Sequence, residues 1–89
     1  MLKRFWFKFS PLYATPLNFG CGITAYDLDD ALALLRDRVF AGGEVPQIVK
    51  IIEDVDISTL EKNHVLPNME PPIWRGVWFP KGFDEQASN

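Results

Sequence analysis

Cysteine, histidine and basic clusters are what this chain has least of. Cys21 is the single cysteine among 89 residues, so no disulfide can close within the chain and a disulfide-stapled scaffold is excluded. His64 is the single histidine, and one Cys with one His cannot fill a tetrahedral zinc site. The longest stretch without a charge, residues 9–26, is broken by Pro11, Pro16, Gly20 and Gly22 and is too polar to span a bilayer. At the start, Lys8 interrupts the apolar run after Phe5-Trp6-Phe7, so a secretory signal is not expected. Acidic residues outnumber basic ones 12 to 9, for a formal net charge of −3. Without a Lys/Arg cluster, general nucleic-acid binding is not expected. Gly20-Cys21-Gly22 opens no helix and Gly42-Gly43 closes one, so neither reads as a phosphate cradle.

What is present is globular. Apolar residues make up 47% of the chain and aromatic ones 13%, richer than disordered segments allow. The length fits one domain, residues 1–83, with a polar tail over 84–89 that is expected to fray. A domain of this size has a stability of about 4–13 kcal/mol.

Phe5, Phe7 and Phe9 alternate with Arg4, Trp6 and Lys8, which predicts a first strand over about 2–9 with one phenylalanine face. Pro11, Pro16 and Asn18 mark a loop of about ten residues. A second strand is predicted over 21–26, with the flanking glycines allowing close approach by another part of the chain. Asp27 is the expected N-cap of a helix over 28–40, with Asp29 and Asp30 at its positive end. Leu28, Ala31, Leu32, Leu35 and Val39 form its apolar stripe, and Gly42-Gly43 ends it. Residues 48–55 predict a third strand, apolar on both faces. Ser58-Thr59-Leu60-Glu61 matches a capping box and predicts a helical turn at 59–63. Residues 73–79 predict the fourth strand. The expected fold is therefore α+β: a two-layer sandwich of a four-stranded, mostly antiparallel sheet with one long helix on one face, in the order β-β-α-β-β.

One helix covers one face. The other is expected to carry Arg4, Trp6, Lys8, Thr24 and Tyr26, joined by either Trp74 and Trp78 or Arg75 and Val77, depending on register. Three fates are open to that aromatic, amphipathic surface. The loops 10–20 and 56–72 can cover it. Two copies can pack it together as a homodimer. Or it can serve as a ligand or nucleotide platform, with Trp6, Tyr26, Trp74 and Trp78 stacking and Arg4, Lys8 and Arg75 holding an anion.

Catalytic chemistry has little to stand on. Asp29-Asp30 is explained by capping. Asp54 and Asp56 fall on one side of an extended chain, but no loop pattern supplies the six or more oxygens a hard cation wants. His64 could do acid–base work, or pair with Cys21 as base and nucleophile; a buried apolar Cys21 and a surface-bonded His64 are the plainer readings. No catalytic residue, metal or cofactor is assigned. A non-enzymatic domain acting through association with a protein partner or itself is expected, in a reducing cytoplasm and away from membranes and nucleic acid.

The segments Gly22-Ile23-Thr24-Ala25-Tyr26-Asp27-Leu28-Asp29-Asp30-Ala31-Leu32, Ile52-Glu53-Asp54-Val55-Asp56 and Ile73-Trp74-Arg75-Gly76-Val77-Trp78-Phe79-Pro80 resemble a family of short bacterial proteins of unassigned function. The resemblance covers most of the chain and implies a bacterial, cytoplasmic protein; it carries no activity.

Overall fold

The structure is a computed structural model that describes residues 1–10 and 16–83. Four antiparallel strands form one sheet: β1 (Lys3–Phe9), β2 (Cys21–Ala25), β3 (Ile48–Glu53) and β4 (Gly76–Phe79). In space they run β3-β1-β2-β4, which departs from their order along the chain. β1 and β2 are central, and β3 and β4 form the edges. The expected tail, 84–89, and residues 11–15 of the loop after β1 lie outside the described residues.

The phenylalanine face forms as the alternation requires. Phe5, Phe7 and Phe9 join Cys21, Ile23, Ala25 and Val77 in a core beneath the helix. α1 (Leu28–Leu34) is capped by Asp27, whose side chain accepts a hydrogen bond from the Asp30 N–H at 2.8 Å. The helix continues through a π turn, Leu35–Val39, in which the Phe40 N–H reaches back five residues to the Leu35 carbonyl. Ala31, Leu34 and Leu35 are buried, with Leu28, Leu32 and Val39 packed beside them. Leu34 was not on the expected stripe; it lies three residues after Ala31, within the α-helical segment and on the same buried face. Ala41 and Gly42 then take positive φ, and the Gly42 N–H bonds the Arg36 carbonyl.

Two bulges reset the sheet. Gly22 pairs with Phe79 but Ile23 with Val77, leaving Trp78 as an extra residue in β4. Consecutive Trp78 and Phe79 thereby share one core, which strict alternation forbids and a bulge permits. A second irregularity between Lys8 and Phe9 leaves Val49 unmatched in β3.

The other face is closed by the chain itself. After β3, Asp54 turns at φ 53°, a left-handed conformation that Asp tolerates better than bulkier residues. Val55, Leu60 and Val65 then fold onto Trp6, Trp78 and Phe79 as a second core, with Ile57, Leu66 and Met69 packed alongside. The helical turn here is Ile57–Thr59 rather than 59–63, and its cap is Asp56, not Ser58. Asp56 accepts from both the Ser58 N–H and hydroxyl. Glu61, expected to reach back, instead accepts from the N–H groups of Asn63 and His64. The Thr24 hydroxyl donates to the Pro72 carbonyl at 2.6 Å and ties down the far end of this cover.

Candidate functional site

The expected open aromatic face does not exist as such. Trp6 is 3% exposed and Trp78 1%. Their rings tilt against each other at 5.8 Å, and Trp6 meets Phe79 at 5.6 Å. Both indoles are the centre of the second core, so Trp6 and Trp78 are corrected from surface candidates to packing residues. The loop reading prevails because residues 55–69 carry six apolar side chains that need a partner, and the sheet supplies it. Gly20 and Gly22 make room: a Cβ on Gly20 would lie 2.6 Å from Trp6 Cε2, and one on Gly22 the same distance from Trp78 Cε3.

The remaining candidates separate into different places. Arg4 is exposed and bonded to the cover: its Nε donates to the Val55 carbonyl at 3.4 Å, and its own carbonyl accepts from the Val55 N–H.

Tyr26 and Arg75 meet at the end of β2, and Trp74 immediately precedes Arg75 in the chain. Trp74 lies just before β4 instead of in it, because the strand starts at Gly76. Arg75 makes a bidentate bond to Asp30, Nε to Oδ2 at 2.9 Å and Nη2 to Oδ1 at 2.5 Å. Asp30 also accepts from the Tyr26 N–H. The guanidinium lies 5.9 Å from the Tyr26 ring centre, within cation–π range. The Arg75 bond, then the bond from Tyr26, bring the Asp30 carboxyl down to about 2 against the cost of its partial burial. Around this clamp Tyr26 is 60% exposed, Ile73 64% and Trp74 52%. Sequence reasoning had Asp30 as a dipole partner only; its link to Arg75 spans 45 residues and has no local signal.

Lys8 takes part in a second arrangement. It stands directly opposite Lys50 across β1 and β3. Both line a cleft of about 460 Å³ together with Trp6, Phe19, Ile52, Leu60 and Glu61. Lys50 was not among the expected site residues, because the pairing register of β3 cannot be read from its composition.

Cys21 and His64 are not brought together. Cys21 is fully buried in the core under the helix, where burial pushes its thiol far above the ordinary range. His64 belongs to the cover on the opposite side, stacked on Phe19 at 4.8 Å with Nδ1 3.3 Å from Glu61 Oε1. Among the described residues no group of three or more His, Cys, Asp or Glu could hold a metal ion, and no helix is long and apolar enough to cross a membrane.

No protein-family model, curated protein or solved structure matches the chain.

Proposed function

We propose that this chain is a non-enzymatic α+β domain that works by associating with a second copy of itself through the surface around Tyr26, Ile73 and Trp74. The observation that carries the reading is that Tyr26, Ile73 and Trp74 are exposed while the bonds of Arg75 to Asp30 and its contact with the Tyr26 ring tie together the two segments that bear them. Trp, Tyr and Arg are the residue types that dominate binding energy at protein interfaces. The clamp holds Arg75 in place before any contact forms, which lowers the ordering cost of association.

Charge at the clamp itself is compatible with a second copy. In a two-fold contact a patch meets itself, so a net-charged patch would repel its own image. Here Arg75 and Asp30 neutralise each other and Tyr26, Ile73 and Trp74 carry no charge, which leaves the exposed Asp27 and Asp29 beside the clamp as the charges a two-fold contact has to keep apart. β3 offers another exposed apolar feature in Val49 and Ile51, but Lys50 between them and the bulge at Val49 are devices that blunt edge strands. A reducing bacterial cytoplasm is the proposed setting, in keeping with the single buried thiol and with the sequence resemblance.

Light scattering coupled to size exclusion, across a dilution series, tests this. The expected result is a concentration-dependent dimer that Trp74→Ala converts to a monomer with an unchanged circular dichroism spectrum. A wild-type chain that stays monomeric at every concentration overturns the reading. A dimer that survives Trp74→Ala and is lost in Ile51→Lys moves the contact to β3.

A further inference from the structure

Lys8 and Lys50 face each other across paired strands, an arrangement that opposes folding when like charges stand directly opposite. Both are exposed, and neither has an acidic partner among the described residues. In a chain with 12 acidic residues this is a specific omission. Beneath the pair lies the cleft of about 460 Å³, within the size range of small-molecule sites. Its lining is mixed, and the apolar part is held in place: Trp6 and Leu60 belong to the second core, and Phe19 is held by its stack on His64.

We infer that this cleft binds a small organic monoanion with a flat apolar body, an aromatic monocarboxylate being the class that fits. The flat body lies over Phe19 and Ile52, both partly exposed, and the carboxylate sits between the two ammonium groups. A single negative charge matches the lining. Two lysines against Glu61 leave one formal positive charge, and Glu61 is engaged by the N–H groups of Asn63 and His64 on the cover. A dianion would meet that carboxylate with its second charge. The site is independent of the surface around Trp74, which contributes nothing to its lining.

The test titrates 1-naphthoate into the ¹⁵N-labelled chain, with neutral 1-naphthamide as the matched control. Saturable shifts are expected at the amides of Lys8, Lys50, Thr59 and Glu61 with naphthoate, and much weaker ones with naphthamide. Lys8→Ala and Lys50→Ala each weaken naphthoate binding by about two- to fivefold, the range for a partly solvated ion pair, and added salt weakens it further. Equal binding of the amide and the carboxylate, shifts confined to other residues, or no saturable response overturns the inference. The naphthoate–naphthamide comparison needs no substitution, so it stands whether or not the variants fold. Trp74→Ala binds naphthoate as the wild type does, so a failure of the dimer proposal and a failure of this one give different results.

Discussion

Gly22 of β2 faces the indole of Trp78, the bulged residue of β4: the ring occupies the space in which any side chain at position 22 would have to lie. A Cβ there would stand 2.5 Å from Trp78 Cη2 and 2.6 Å from Cε3. The ring is 1% exposed and backed by Trp6, so it cannot swing away. Gly22→Ala should therefore destabilise the domain by about 1–3 kcal/mol, the usual cost of overpacking. Urea denaturation read by circular dichroism measures it. A loss below the error of the experiment would mean that the sheet shifts freely at the bulge.

The three tryptophans should divide sharply. Trp6→Ala and Trp78→Ala each empty the centre of the second core and should cost about 3–5 kcal/mol. That is a large part of the stability of a chain this long, and unfolding at physiological temperature is a reasonable result. Trp74, half exposed, should cost about 0.5 kcal/mol or less when replaced by Ala. Parallel denaturant melts of the three variants check the contrast. It separates a packing role for the first two from a surface role for the third.

The local features of this fold were legible because each depends on neighbours in sequence. The phenylalanine face follows from a period of two, and the helix start from Asp27 with the stripe behind it. The position of Trp78 was not legible. It depends on a bulge set by Gly22, some 56 residues away, and alternation alone cannot place two consecutive residues in one core. The cover over Trp6 left a trace that was open to reading: Val55, Ile57, Leu60, Val65, Leu66 and Met69 are apolar without either regular period. Apolar residues in an irregular segment need a surface, and the uncovered sheet face was the one available. Arg75–Asp30 and Lys8–Lys50 were beyond reach because both follow from strand register, which composition does not fix.

Cys21 should behave as an inaccessible thiol. It is fully buried beside Phe7, its partner on β1, and burial holds it protonated far above the ordinary range. Since the thiolate is the reactive form, labelling with an aromatic disulfide reagent should be slow in the native protein and fast in denaturant. The native rate should follow opening of the domain, rising as urea approaches the unfolding midpoint. Rapid native labelling would show that the helix lifts from the sheet on a short timescale.

The Asp30–Arg75 clamp gives the domain a defined acid dependence. Arg75, with the Tyr26 N–H, lowers the Asp30 carboxyl from 3.8 to about 2. Because the folded value lies below the unfolded one, the clamp's contribution is complete above roughly pH 4–5 and is lost as pH falls toward 2. Arg75 is 39% exposed and Asp30 18%, so water screens the pair and its contribution should be about 1 kcal/mol. Asp56 and Glu61 are also lowered, by the bonds from Ser58 and from the His64 N–H respectively, and they add acid sensitivity of the same sign. Asp30→Asn isolates the clamp: the stability difference between wild type and variant should be present at pH 7 and vanish near pH 2. Denaturant melts across that interval measure it. A difference that stays constant with pH would show that Asp30 acts through hydrogen bonding alone, without its charge.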